Sequence, residues 1–461
     1  MKNSTRGLTI GALFLAVIFV LILALFFVDY EDKTSRCESV GHDFKEGDNC
    51  AVCRVNIRNV SEITIDMSAT DNDNVVGYAV PNISENTYNV YIKGNGATKD
   101  YPHVASPFKE VSVVSVYIDS GVTILGANVF NGLSGLTTVT FAEDSQLVSI
   151  GVYTFGFCTS LKYVTLPNRV EVVGPSSFME CTSLESIVLP EGLKNISLLA
   201  FGRCTGLKSI TIPNSVTKID NNAFNACTGL ESVEFAEGSK LETIGESAFS
   251  FCRNLENVVI PNGVLEIGSY AFDACHNLTS VTIPGSVNEF GYGIFRSCQR
   301  LQEVVLLEGM KIIPVEAFSG CVGLKTIVIP DSVTAIEEYA FSGCKGLESV
   351  VFGENSKLET IGKSAFSSCK KLERIVIPDG TTTIESYAFA YCDDLISVVI
   401  PDSVAYMQER VFSGSYGTKI YCHSQEQPTE WSANWRADIE FVYWAERWEF
   451  DGDGNQRDVQ G

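Results

Sequence analysis

The sequence predicts a repeat solenoid, mainly β, whose stacked coils of 23–25 residues share a parallel β-sheet, preceded by one N-terminal transmembrane helix. Three observations carry that prediction. Eleven cysteines, from Cys158, Cys181 and Cys204 to Cys369 and Cys392, stand 23 residues apart except for two steps of 25. Each follows a phenylalanine by three residues (Phe155, Phe178 and on to Phe389) and precedes a leucine by three (Leu161, Leu184 and on to Leu395). Leu8 to Val28 is a nearly unbroken apolar stretch, about 31 Å long as a helix, which matches a bilayer core. A unit this short buries its apolar face only against its neighbours, so a fixed frame of this length implies a solenoid.

From the N terminus, Lys2 and Arg6 precede the apolar stretch and Asp29, Glu31 and Asp32 follow it. The positive-inside rule places residues 1–7 in the cytoplasm and everything after the span outside the cell. No small-x-small cleavage site follows Val28, so 8–28 is expected as an uncleaved signal anchor, with a cleaved signal peptide as the alternative. Residues 29–75 form a short Cys/His segment and a polar linker, Asp66 to Asn74. Cys37, His42, Cys50 and Cys53 have the spacing C-x4-H-x7-C-x2-C, which can close a tetrahedral structural zinc site and leave no position open for catalysis. Oxidised cysteines are the competing reading in an extracellular compartment, and neither state is the third.

An N-terminal cap and first coil are expected over 76–132, the repeats over 133–415, a C-terminal cap over 416–450 and an acidic tail over 451–461. In a sample unit, Leu184, Ile187 and Leu189 alternate with polar residues, Pro190 ends the run, and Leu193, Ile196, Ala200 and Phe201 follow. The alternation reads as a strand and the proline as a turn. Stacked in register about 4.8 Å apart, twelve or thirteen coils would run roughly 60 Å. The segment ending in Ala-Phe is expected as a second short strand or a single helical turn. The steps of 25 arise where Phe235–Leu241 and Phe352–Leu358 replace the proline turn, with Phe141–Leu147 as a third copy, and a wider loop without function suffices to explain them. Stacked thiols could bond to the next coil, but an odd number at one inward position reads better as reduced core packing.

The repeat L-x-x-I-x-I-P-x-x-V-x-x-I-x-x-x-A-F-x-x-C resembles the BspA-type leucine-rich repeat of surface proteins in bacteria and some parasitic protists. The stretch from Asn89 to Phe130 is similar to that family's opening strand and first coil, and Lys419 to Trp444 to the closing strand of members from Gram-positive gut bacteria. The Cys/His segment also looks like one those proteins carry. Leu133 and Ser415 depart from the pattern, standing where a ladder cysteine belongs, as atypical terminal coils do. The resemblance implies adhesion or the binding of host or neighbouring-cell proteins, without a family-wide binding residue.

A net charge of −23 argues against nucleic acid or an anionic membrane surface as partner. The histidines, His42, His103, His276 and His423, pair in sequence with no nucleophile and acid. Ser342 to Lys345 and Ser367 to Lys370 mimic a Ser-x-x-Lys motif but straddle ladder cysteines, so they follow from the repeat. Asp451, Asp453 and Asn455 begin like a calcium loop, yet Gln456 stands where glycine is needed. What remains is the outward sheet face, where Val259, Val305, Val328, Val351 and Val376, with Val188 and Val399, form a β-branched row able to dock a protein, unless strand propensity alone put them there. Trp431, Trp435, Trp444 and Trp448 read as a seal on the solenoid end, or as a glycan-stacking site. The expected function is therefore a membrane-anchored, extracellular, non-catalytic protein-binding or adhesion scaffold. A cell-wall or glycan-binding module using the Trp-rich end is the alternative. No cofactor is required beyond the possible zinc.

Overall fold

The computed structural model describes residues 63–82, 85–102 and 106–445, together with the backbone of 448–450 and 456–458. The apolar segment 8–28 and the quartet Cys37, His42, Cys50 and Cys53 lie outside the described residues. Among the described residues no helix is long and apolar enough to cross a membrane. The chain divides into two compact units, Met1–Ile65 and Asp66–Gly461, and the second is the solenoid.

Each coil carries a main strand, of which Ser209–Ile212 is typical, and a two-residue second strand such as Lys218–Ile219. Main strands pair in parallel and in register: Ser209 with Ser232, Ile210 with Val233, Thr211 with Glu234 and Ile212 with Phe235. The second strands form a separate parallel row, Lys218 with Thr243 and Ile219 with Ile244. Because strand side chains alternate between faces, Leu207, Ile210, Ile212, Val216 and Ile219 all turn inward and are buried. The array has about fifteen turns. The expected twelve or thirteen fell short because Val113–Ile118, Lys419–Cys422 and Phe441–Tyr443 join the main row outside the cysteine frame.

The segment ending in Ala-Phe carries the expected second short strand, Lys218–Ile219, and beyond it Ala223 and Phe224 sit in successive tight turns closed by Asn225 N–H to Asn222 C=O (3.0 Å) and Cys227 N–H to Phe224 C=O (3.2 Å). Asn222 and Ala226 each have a φ of 57°, and the same two places in other coils hold Tyr153 and Phe157, Leu199 and Arg203, Tyr387 and Tyr391, all left-handed. This conformation costs a non-glycine residue roughly 1 kcal/mol. It is held because it aims the N–H groups of Asn222, Phe224 and Ala226 at the carbonyls of Glu246, Ala248 and Ser250 in the next coil, each at 2.8 Å.

Two ladders fill the core. Phenylalanine rings stack from Phe108 to Phe412, with centroids 5.2 Å apart for Phe201 and Phe224 and 5.7 Å for Phe389 and Phe412. The cysteines beside them are all buried, as core packing predicts, and lie unbonded to one another. Each thiol donates to the carbonyl of a phenylalanine in the preceding coil, as Cys204 does to Phe178 (3.1 Å) and Cys227 to Phe201 (3.0 Å). The two-residue insertions stay at the corner: Ser239 Oγ accepts the N–H of Leu241 (3.3 Å), which returns to the core where Val216 stands one coil earlier.

At the N-terminal end Val76–Asn82 runs antiparallel to Thr87–Lys93, which then pairs in parallel with Val113–Ile118. The polar stretch expected as a linker is tied to this end instead. Met67 and Val75 are buried, and Asp73 accepts the N–H groups of Thr70 and Ala97. In the segment expected as a tail, Gln456–Asp458 pairs antiparallel with Trp448–Phe450.

Candidate protein-binding face

The outward side of the main sheet follows from the same alternation. One residue per coil, placed between two inward ones, forms a row in which the register pairs Thr165 with Val188, then Thr211 with Glu234, and Val259 with Thr282 and Val305. The row continues through Val328 and Val351 to Val376 and Val399, then Tyr421 and Tyr443. The valines singled out from the sequence are open to solvent: Val259 is 67% exposed, Val328 57% and Val376 52%. Thr282 separates Val259 from the others, whereas Val305, Val328, Val351 and Val376 follow one another without interruption. Val399 departs from its expectation. It is 1% exposed, packed with Tyr421 and under the half-buried Tyr443, whose ring stacks on Tyr421 at 5.0 Å.

Flanking the valines, Thr326 and Ser349 share a hydroxyl hydrogen bond of 3.0 Å, and Lys208 pairs with Glu231 at 2.9 Å where both side chains are half exposed. Such exposed pairs contribute little to stability, about 0–1 kcal/mol, and leave the face's charges free to meet a partner. On the opposite flank each coil turns the corner through an acidic residue in the later repeats: Glu308, Asp331, Glu354 and Asp379. Glu308 accepts the backbone N–H groups of Asp331 (2.9 Å) and Ser332 (3.2 Å), the first of which holds its carboxyl below the usual range. Between Val351 and Val376, the longer corner after Phe352 opens a shallow hollow of about 440 Å³ lined by Phe352, Glu354, Arg374, Pro378 and Asp379.

A family model described as "BspA type Leucine rich repeat region", with six copies, matches residues 105–231, 229–348 and 311–429. The chain belongs to the BspA-type leucine-rich repeat family. A search of curated proteins gave no match. Among solved structures the BspA-type chain is similar to a leucine-rich repeat protein from Bacteroides ovatus, at 23% identity and a TM-score of 0.57, over 78% of this chain and 96% of that one. It is also similar to a leucine rich cell surface protein from Faecalibacterium prausnitzii (25%, TM-score 0.34, covering 80% and 95%) and to the pneumococcal vaccine antigen PcpA (18%, 0.45, covering 82% and 98%).

The remaining residues singled out from the sequence fall away from the BspA-type sheet face. Trp431 and Trp435 are buried at the C-terminal end: Trp435 meets Phe412 edge-on at 6.1 Å and Trp431 at 5.0 Å. Their indole N–H groups donate to Val404 C=O (3.0 Å) and Gln427 Oε1 (3.2 Å), so neither ring offers a face to a sugar. Ser342 and Lys345 flank the buried thiol of Cys344, and His276 sits in a turn whose carbonyl accepts the N–H of Arg300. Sequence reasoning missed Tyr421 and Tyr443 as the end of the valine row. The signal was present in Lys419-Ile-Tyr-Cys, which alternates as Ser397-Val-Val-Ile does.

Proposed function

We propose that the chain is a membrane-anchored, extracellular scaffold that binds a protein partner on the outer face of its main sheet and carries out no catalysis. The observation that supports this reading is the row of open valines at one position of successive coils. Strand propensity explains valine in a strand but does not require an exposed apolar line on a rigid sheet. The anchor rests on Leu8 to Val28 and on the charges either side of it. Cys37, His42, Cys50 and Cys53 belong to the same reading as a structural zinc knuckle beside the membrane, with disulfide chemistry as the competing state. Burial of Trp431 and Trp435 takes those two rings away from glycan stacking at the C-terminal end and favours the sheet face.

The test presents the full chain, in detergent, to arrays of matrix proteins and of glycans. A protein ligand is expected, and the double variant Val328→Lys, Val376→Lys should bind it at least tenfold more weakly while keeping the wild-type circular dichroism. Exclusive glycan binding that ignores those substitutions would overturn the proposal. For the anchor, protease added to intact cells should remove the repeats, and repeats digested only after lysis would reverse the orientation.

A further inference from the structure

We propose that the stretch of outer face from Val305 to Val376 docks a cationic amphipathic helix of a partner protein. This rests on the sheet face being the binding surface, and it names the occupant. Two ladders coincide there and nowhere earlier in the array. Val305, Val328, Val351 and Val376 give an apolar line, and three residues further along each coil stand Glu308, Asp331, Glu354 and Asp379. In the preceding coils the corresponding pairs do not form a run: Val188 with Glu191 stands alone, followed by Thr211 with Asn214, Glu234 with Glu237, Val259 with Asn262 and Thr282 with Gly285.

The later coils therefore carry an apolar stripe with an acidic stripe along one side, running down the solenoid axis. Glu308, Glu354 and Asp379 are exposed, whereas Asp331 is half-buried with its Oδ1 closed off from solvent, so three of the four acids face solvent. Lys357 lies near Glu308 and Arg374 lines the same hollow as Glu354 and Asp379, so the four acids outnumber the cations beside them, and a partner that desolvates the valines must bring further positive charge to that side. The chain's net charge of −23 repels acidic partners from the same surface.

Spacing selects a helix. A partner backbone along the axis crosses the strands and cannot hydrogen-bond to them, so side chains alone must match the coil repeat of about 4.8 Å. An extended chain returns the same face every ~6.7 Å, while an α-helix returns it every ~5.4 Å. Four coils span roughly 14–19 Å, close to three helical turns. The stripe also has ends: Thr282 and Gly285 interrupt both ladders before it, and Tyr421 and Tyr443 cover Val399 after it. The hollow beside Phe352, between Val351 and Val376, is lined by Phe352 and Pro378 together with Glu354, Arg374 and Asp379, so it suits a side chain with an apolar stem and a charged end, as lysine has.

The probe is a synthetic helical peptide of about 14 residues with a leucine stripe flanked by lysines, compared with the same peptide carrying Glu for Lys and with a scrambled order. Fluorescence anisotropy with the full chain in detergent, blanked against empty micelles, should show binding of the lysine peptide alone. Glu354→Lys with Asp379→Lys should weaken it at least tenfold, and Val351→Asp likewise, while Glu191→Lys with Glu237→Lys, which changes net charge equally in the earlier coils, should leave it within twofold. Equal loss from both charge pairs, or equal binding of the scrambled or glutamate peptide, would refute the proposal. If a protein ligand is lost on Val328→Lys, Val376→Lys but no lysine peptide binds, the sheet face stands as the binding surface and the helix does not.

Discussion

A ladder cysteine works as a small apolar filler and as a hydrogen-bond donor at once. The thiol of Cys275 donates to Phe249 C=O (3.3 Å), a carbonyl that also accepts the N–H of Cys252 (3.2 Å). Ser415, the next step of the frame after Cys392, makes the equivalent bond to Phe389 C=O at 2.8 Å, so what the position requires is a compact donor rather than sulfur. Cys275→Ala keeps the packing of Cβ and leaves that carbonyl short of a partner. The expected cost is about 1–3 kcal/mol, read as a lower denaturant midpoint, with no oxidation of neighbouring thiols. Thiol counting on the denatured, unreduced chain checks the second part: if most ladder cysteines prove oxidised, the donor role is wrong.

Among elements, the C-terminal cap holds the end of the array. Its strand Lys419–Cys422 pairs with Ser397–Ile400, and its Asn434 carbonyl accepts the N–H of Arg410 (2.8 Å) as a further coil would, while its Trp435 carbonyl accepts that of Val411 (3.0 Å). Trp435 covers the last ring of the phenylalanine stack from the edge. Trp435→Ala should therefore cost about 3–5 kcal/mol and expose Phe412, seen as a loss of monomer in gel filtration and a lower melting point. Deletion of Tyr416 to Gly461 should aggregate outright, since it also bares the edge of the main sheet. A monomeric deletion variant as stable as the full chain would remove the cap assignment.

Across the whole molecule the ladder makes stability depend on alkaline pH. Burial pushes Cys158, Cys252 and Cys321 up, and Cys181, Cys344 and Cys392 up to about 12, against an ordinary value of 9.0. The folded state then holds protons that the unfolded chain releases, so the stabilisation is complete below pH 9 and declines as pH rises toward about 12. Each such thiol contributes a loss of about 1.4 kcal/mol per pH unit within that window, and the ladder sums many of them. Cooperative unfolding is expected well below pH 12, followed by far-ultraviolet circular dichroism. A chain whose denaturant midpoint is flat from pH 8.5 to 10.5 would contradict it.

The 23-residue frame, the inward ladders and the parallel stacking were legible in the sequence because each coil repeats one inside-outside pattern, and a slip of one residue would turn every buried side chain into water. The row of valines was legible for the same reason. What only the tertiary structure decided lies where the next coil, rather than local preference, sets the outcome. Tyr387, Leu199 and Arg203 are left-handed because their N–H groups, or those of the residues beside them, must reach the following coil, and no local rule places such side chains there. Val399 looks like its neighbours in sequence, yet Tyr421 and Tyr443 bury it, because two strands that lack the repeat's cysteine frame still continue its sheet. Trp431 and Trp435, ambiguous between seal and sugar platform by composition, became a seal through the open end of the phenylalanine stack that only stacking creates.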